Sequence, residues 1–138
     1  MSPVVFSETN VKNNKKIAIA ELNAEHTLNA LNLSMIQVLY EKLQAWQCDE
    51  NIALVILQGA GTKAFCAGGD VVSLYHALKP EHERITRENI GNNIDDKTIV
   101  DSLAYEFFAT EYQLDQLIHK FDKPILVWGD GYIMGGGV

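Results

Sequence analysis

Two glycine-rich segments are the parts of this 138-residue chain best suited to chemistry. The first, Gly59 to Asp70, follows one apolar run, and the second, Gly129 to Val138, follows another. Glycine has no Cβ atom, so a ligand can come close to its backbone N–H groups. Two such segments, each just past a strand, predict an oxyanion hole around one carbonyl oxygen. Glycines that serve only as turn residues are the alternative.

The opening of the first segment also resembles a dinucleotide-binding fingerprint, with Gly59, Gly61 and Ala64 at matching positions after a strand. That interpretation requires a helix through 62–70, where further glycines each cost about 1 kcal/mol. It also requires an acidic residue about 20 positions later, where the sequence has Pro80 in a polar tract. The pattern therefore favours a site for a carbonyl oxygen over a nucleotide site.

Periodicity predicts the elements that must position these segments. Alternation predicts a strand at Lys16–Leu22, and helical spacing predicts an amphipathic helix over about 33–47, started by Asn32. The other predicted elements are a partner strand at Val4–Glu8 joined by a turn at Asn10–Lys15, parallel strands covered on both faces at Ile52–Leu57 and Pro124–Trp128, a helix near Val71 and a helix over about 98–120. The fold class is therefore α/β.

Three stretches together resemble the crotonase, or enoyl-CoA hydratase/isomerase, superfamily: Asn23–Leu31, Lys63–Asp70 and Lys123–Val138. The resemblance implies a ββα spiral, of which residues 1–138 are the N-terminal portion, with a polar surface insertion at about 79–97. The Gly-Gly-Asp at 68–70, the long segment between the glycine motifs, and Glu111 followed by Tyr112 resemble the hydrolase branch, which cleaves 3-hydroxyacyl-CoA thioesters.

The resemblance implies which groups carry the chemistry. The amides of Gly69 and Gly136 correspond to the two catalytic donors that bind the thioester oxygen, and Glu111 corresponds to a substrate-contacting carboxylate. Negative charge builds on that oxygen during attack, and removing one donor costs about 2.7–4 kcal/mol of barrier. CoA is then part of the substrate, and no separate cofactor or metal is implied.

Helical geometry gives an argument about Glu111 that is independent of any family. At about 100° per residue, Glu111 falls about 40° from Phe107, on the edge of an apolar stripe that also contains Leu114 and Ile118. A carboxyl group beside an apolar wall has its pKa raised, so that it exchanges protons near neutral pH. A rim position with the carboxylate in water is the alternative.

Four further residue types have structural interpretations beside functional ones. Asp70 is predicted to cap the helix near Val71. Lys63 is a candidate for CoA phosphates or an ordinary surface lysine, and Cys66 is predicted to be a buried small residue, since no base pairs with it. The remaining candidates, predicted to be surface or packing residues, are His76, His82 and His119.

Composition limits the partners. The net charge of −7 argues against nucleic acid, because phosphate binding needs clustered cations. No apolar run approaches the roughly 20 residues of a membrane span, and the N-terminus has no signal-peptide pattern. Two cysteines without metal-like spacing suit reduced thiols, so a cytoplasmic location is expected.

The chain stops at Val138, directly after the second glycine motif. The resemblance implies that a catalytic Glu and Asp of the hydrolase branch lie beyond it, so the 138 residues alone are expected to lack turnover. Faces left uncovered predict self-association. An enoyl-CoA hydratase or isomerase and a non-catalytic acyl-CoA-binding fragment are the alternatives to a hydrolase.

Overall fold

The architecture is taken from a computed structural model that describes residues 2–88 and 96–135. The strands are β1 (Val4–Asn10), β2 (Lys16–Leu22), β3 (Ile52–Gly59), β4 (Ala64–Cys66), β5 (Ile125–Trp128) and β6 (Tyr132–Ile133). The helices are α1 (Leu33–Cys48), α2 (Val71–Glu88) and α3 (Asp96–His119), with short 3₁₀ turns at Lys12–Asn14 and Glu25–Thr27. Strands alternate with helices along the chain, which confirms the predicted α/β class.

Four strands form one mixed sheet in the order β1-β2-β3-β5. Strand β1 pairs antiparallel with β2 through the turn at 10–15, whereas β2–β3 and β3–β5 are parallel. Asn13 and Asn14 occupy the left-handed region in that turn, with φ of 61° and 57°, a conformation that asparagine tolerates well. The predicted hairpin and the two predicted parallel strands are therefore confirmed.

The core lies between this sheet and α1. The inward face of β2 consists of Ala18, Ala20 and Leu22, whereas Ile17 and Ile19 are only half-buried. Small side chains on that face leave room for the apolar stripe of α1, whose buried residues are Met35, Ile36, Leu39, Leu43 and Trp46. The start of α1 is as predicted, because the Asn32 side chain accepts a hydrogen bond of 3.0 Å from Met35 N.

One prediction about burial is wrong for the last strand of the sheet. Strand β5 was expected to be covered on both faces, but Leu126 and Val127 are each 54% exposed and Trp128 is 72% exposed. Strand β5 is one edge of the sheet formed by the described residues, and among those residues it packs closely only against β3. Strand β3 lies inside the sheet and is closer to the expectation, with Ile52 and Val55 buried.

The polar stretch at 79–97 also differs from expectation. Helix α2 continues through residue 88, and α3 already begins at Asp96, so backbone helix enters the stretch from both sides. Its Glu, Lys and Arg residues are good helix formers, which outweighs the effect of Pro80 on the pattern. Residues 89–95, the centre of the predicted insertion, lie outside the described residues.

Candidate functional site

Asn29 holds the chain that leads into the first glycine segment. Its side chain is 1% exposed, and its Nδ2 donates to the carbonyl oxygens of Ala60 and Ala64 at 3.0 and 2.8 Å. Its Oδ1 accepts from Ala24 N at 2.9 Å. The amide group therefore satisfies buried backbone groups of two loops at once, which fixes where β4 begins.

The turn after β4 uses almost all of its backbone donors within the protein. The bonds run from Ala67 N to Leu28 O (3.1 Å), from Gly68 N to Cys66 Sγ (3.3 Å), from Asp70 N to Leu31 O (2.8 Å) and from Val71 N to Gly69 O (2.9 Å). The N–H of Gly69 differs, because it has no acceptor among residues 2–88 and 96–135. A half-buried backbone donor without a partner is uncommon and is what a ligand oxygen would use.

The side chain of Glu111 lies next to this free donor. A Cβ atom added to Gly69 would stand 3.2 Å from Glu111 Oε1 and 3.4 Å from the ring of Phe107. Both α3 residues are buried, with Glu111 6% exposed and Phe107 3% exposed. Space at Gly69 is tight, since an added side chain would require the carboxyl group to give way by a few tenths of an ångström.

Glu111 is more deeply buried than its predicted place on the edge of the stripe implies. Leu114 and Phe107 of the same helix are in the core, and the bare backbone at Gly69 lets the turn after β4 close over the carboxyl group. Burial raises the pKa of Glu111, and the nearby charge of Asp115 raises it further. The alternative of a carboxylate held in water on the rim is wrong, and the predicted direction of the pKa shift is confirmed.

The second glycine segment runs alongside the first. Strand β6 pairs with β4 in parallel, Tyr132 N donates to Lys63 O at 2.9 Å, and Met134 N donates to Cys66 O at 3.0 Å. Gly131 has a φ of +71°, and a Cβ atom there would overlap the carbonyl group of Lys63. This close approach explains why the segment needs glycine at that position.

The two segments meet at Gly68 and Gly135. A Cβ atom on Gly135 would be 3.4 Å from the Cα atom of Gly68, so the backbones are in contact at this point. The structure thus brings the two motifs together, as convergence on one carbonyl oxygen requires. Gly136, the predicted second donor, lies outside the described residues, so the two-amide oxyanion hole stays a prediction.

A cavity of about 480 Å³ opens beside the meeting point of the segments. Its wall is mainly leucine, isoleucine, valine and phenylalanine, and it includes Cys66 and Gly135. Asp115 and His119 are its ionisable side chains on α3, and burial raises the pKa of Asp115. The sequence analysis missed Asp115, although its position one turn after Glu111 was a usable signal.

The structure also locates the remaining residues that the sequence singled out. Asp70 caps α2, since its carboxyl oxygens accept from Ser73 N at 2.9 Å and from Ser73 Oγ at 2.6 Å, which confirms that prediction. Cys66 is buried as predicted, and burial raises the pKa of its thiol. Lys63 is exposed, and its contact with CoA stays a prediction. Of the three histidines, His76 and His119 are exposed, as predicted, and the side chain of His82 lies outside the description.

Metal sites and membrane-spanning helices are both absent from the part of the chain that the structure describes. No group of three or more histidine, cysteine, aspartate or glutamate side chains there is arranged to hold a metal ion. None of the helices in this part is both long and apolar enough to cross a bilayer.

Comparison with known proteins gives consistent matches. The family model described as enoyl-CoA hydratase/isomerase matches residues 17–138. The mitochondrial 3-hydroxyisobutyryl-CoA hydrolase of Xenopus laevis is 40% identical over 87% of this chain, and that of Danio rerio is 36% identical over 100%. The small ribosomal subunit protein mS47 of Neurospora crassa is also similar, with 36% identity over 86% of the chain.

The chain spans only 26% and 31% of the length of those two hydrolases, and 20% of mS47. Among solved structures, an enoyl-CoA hydratase from Rhodobacter sphaeroides 2.4.1 matches 99% of this chain and 34% of its own, with 28% identity and a TM-score of 0.73. A carnitinyl-CoA dehydratase from Mycobacterium thermoresistibile matches 99% of this chain and 33% of its own, with 31% identity and the same TM-score. The fold implied by the resemblance is confirmed.

Proposed function

The chain belongs to the enoyl-CoA hydratase/isomerase family, and from that premise we propose that it is the N-terminal part of an acyl-CoA thioester hydrolase. The proposed substrate is 3-hydroxyisobutyryl-CoA, an intermediate of valine breakdown. Support comes from curated relatives that carry the name of this hydrolase at 35–40% identity. The observation that carries the proposal is the free N–H of Gly69 beside the buried carboxyl group of Glu111.

The chemistry that this site would support is attack of water on the thioester carbon. A C–O bond forms, the C–S bond breaks, and CoA leaves as the thiol after it takes a proton. Negative charge develops on the acyl oxygen, and the amide of Gly69, with that of Gly136 as the second donor, would stabilise it. Backbone donors suit this task because they are already oriented before the substrate arrives.

Glu111 would contact the acyl part of the same substrate. Its Oε1 lies 3.2 Å from the position that a Cβ atom on Gly69 would occupy. If the thioester oxygen binds the Gly69 amide, the carboxyl group is therefore within reach of the adjoining acyl group. The carboxyl group has no hydrogen-bond partner among the described residues, which leaves it available for the 3-hydroxyl group or the attacking water. CoA enters as part of the substrate, and the proposal includes no metal or separate cofactor.

Two alternatives have specific support. The solved structures that match most of this chain include an enoyl-CoA hydratase, which favours hydration of an unsaturated thioester. The similarity to a ribosomal protein favours a non-catalytic role. The cytoplasmic location stays a prediction, and the curated hydrolases to which the chain is similar are named as mitochondrial.

The experiment that tests the function uses the protein that contains this chain together with its catalytic acids. Thiol release from 3-hydroxyisobutyryl-CoA is measured for the unchanged protein, Glu111→Leu and the control Glu106→Gln, which alters an exposed carboxyl group on α3. We expect turnover in the first and the last, with a large loss in Glu111→Leu. Hydration of crotonyl-CoA without thiol release would select the hydratase, and thioester binding without any reaction would select the non-catalytic role.

A further inference from the structure

Helix α3 carries two carboxyl groups toward the site, one helical turn apart. Glu111 lies against Gly69, and Asp115 follows it at i+4 on the wall of the 480 Å³ cavity, beside Cys66 and Gly135. Side chains at i and i+4 are neighbours on a helix surface, separated along the axis by roughly the 5.4 Å pitch. Glu111 is not among the residues that line this cavity, so the two carboxyl groups are neighbours on α3 rather than parts of one wall.

Neither group has a cationic partner in the described part of the chain. The ion pairs found there join Lys16 and Lys42 to Glu8, far along the sequence from α3. Glu111 is 94% buried and accepts no hydrogen bond from a described residue, and although its carboxyl oxygens are not completely enclosed, this burial disfavours the charged form. Asp115 is exposed, but its charge at i+4 still disfavours a second charge on its more deeply buried neighbour.

The other ionisable groups near this pair do not supply a positive charge that would stabilise ionised carboxyl groups. From β4, the Cys66 thiol is buried, and burial raises its pKa, so it remains neutral. At the start of α2, the carboxyl oxygens of Asp70 are occupied by Ser73. On α3 itself, His119 lines the cavity one turn beyond Asp115 and is exposed. No lysine or arginine lines the cavity in the described part of the chain.

We propose that Asp115 is a positioning residue that keeps Glu111 protonated, so that Glu111 donates a hydrogen bond to an oxygen atom of the acyl group. The arrangement of the two carboxyl groups stands on the geometry of α3 alone, whereas the identity of the acceptor rests on the proposed function. A hydroxyl oxygen on the acyl chain is the acceptor that this donor would select. An ionised Glu111 could only accept, and it would repel the developing oxyanion beside Gly69.

The first test needs no substrate. Carboxyl groups of the 138-residue chain are labelled with ¹³C, and the titration of Glu111 is followed by NMR in the unchanged chain and in three variants. Asp115→Asn removes the neighbouring charge and should shift the Glu111 midpoint to lower pH. Asp115→Glu keeps the charge and should restore the midpoint, and the control Glu106→Gln, on the exposed side of α3, should leave it unchanged. An Asp115→Asn chain with an unmoved Glu111 midpoint would overturn the proposal.

The second test concerns the substrate. The affinity of the complete protein for a 3-hydroxyacyl-CoA is divided by its affinity for the same thioester without the hydroxyl group, across a pH series. We expect Asp115→Asn to lose this preference at a lower pH than the unchanged protein, and Glu111→Gln, which cannot ionise but still donates, to keep it throughout. A preference with the same pH dependence in Asp115→Asn and the unchanged protein would count against Asp115.

The two tests separate the proposals. A shifted Glu111 midpoint in a protein that binds no CoA thioester would leave the carboxyl pair standing and refute the proposed function. Thioester turnover in a protein whose Glu111 midpoint does not move in Asp115→Asn would support the proposed function and refute the role of Asp115.

Discussion

Two glutamates, Glu8 on β1 and Glu111 on α3, have very different surroundings in this chain. Glu8, on β1, is partly exposed, yet it accepts from Trp46 Nε1 and from Lys16 Nζ at 2.9 Å each, and Lys42 Nζ lies 3.9 Å away. Glu111 is buried and has no such partner among the described residues. The hydrogen bond from Trp46 and then that from Lys16 lower the pKa of Glu8, whereas burial raises that of Glu111.

Glu8 contributes to the stability of the fold, whereas the surroundings of Glu111 suit a functional role. At Glu8 the partners favour the charged form, and the side chain ties β1 to α1 and β2. At Glu111 burial disfavours the charged form, and neither its carboxyl group nor the neighbouring N–H of Gly69 has a hydrogen-bond partner among the described residues. Unsatisfied polar groups held in a defined place are typical of binding and catalytic sites.

The largest expected effect on stability comes from substituting Trp46, the residue that donates a hydrogen bond to Glu8. Its side chain is 2% exposed, packs edge-to-face against Phe6 at 5.6 Å, and donates to Glu8. Trp46→Ala should lower the free energy of unfolding by about 3–5 kcal/mol, because it removes both the packing and the donor. Trp46→Phe keeps most of the packing and should lower it by about 1 kcal/mol. Urea denaturation of the chain measures both values, and an unchanged free energy of unfolding in Trp46→Phe would show that the bond to Glu8 adds nothing.

On the Glu111 side, Gly69→Ala should reduce kcat/KM of the complete protein by roughly 10-fold, since the neighbours must give way by a few tenths of an ångström and a full displacement of about 1 Å costs about 100-fold. The new methyl group would stand 3.2 Å from Glu111 Oε1 and 3.4 Å from the Phe107 ring, so one of them must move. The free energy of unfolding should change little, because Gly69 is not among the described glycines with positive φ. A variant with full activity would show that the space above Gly69 is not used by substrate.

These two regions differ in how far the sequence predicted them. The start of α1 at Asn32, the cap at Asp70 and the parallel strands follow from local pattern, because each depends on nearby residues. The position of Glu111 beside the first glycine segment needed a helical stripe together with a family resemblance. The sequence did not predict its depth, since that depends on how closely the turn at Gly69 approaches α3.

The two features that the sequence failed to predict have the same cause. The exposure of β5 and the role of Asp115 both depend on which elements lie alongside in three dimensions, and residue spacing does not contain that information. Asp115 falls further round α3 from the apolar stripe than Glu111 does, so helical spacing alone does not mark it as a site residue. The cavity that it lines is formed by residues of β2, β3, β4, β5, α1 and α3 together, so it exists only in the folded chain.

The same substitution should have opposite effects on stability at the two glutamates. Glu8→Leu should lower the free energy of unfolding by about 0.5–1 kcal/mol, since its bonds are near the surface and screened by solvent. Glu111→Leu should leave that free energy unchanged or raise it, because a buried carboxyl group without a partner is replaced by an apolar one. Thioester affinity should follow the reverse pattern, with a loss only in Glu111→Leu. Parallel losses of stability would mean that Glu111 has a structural partner.

The smallest effect is a difference in pH dependence. The folded-state pKa of Glu8 lies below its ordinary value of 4.5, so Glu8 stabilises the fold above that value, and this contribution is lost as the pH falls through the lowered pKa. The folded-state pKa of Glu111 lies above 4.5, so the fold is favoured while Glu111 is protonated, and stability is lost as the pH rises from 4.5 through the raised pKa.

Urea midpoints are measured from acid to neutral pH for the chain, Glu8→Gln and Glu111→Gln. Relative to the unchanged chain, Glu8→Gln should become less destabilising toward acid pH, whereas Glu111→Gln should become more stabilising toward neutral pH. Two curves with the same slope would mean that the two carboxyl groups have similar environments, and the contrast between paired and unpaired glutamates would fail.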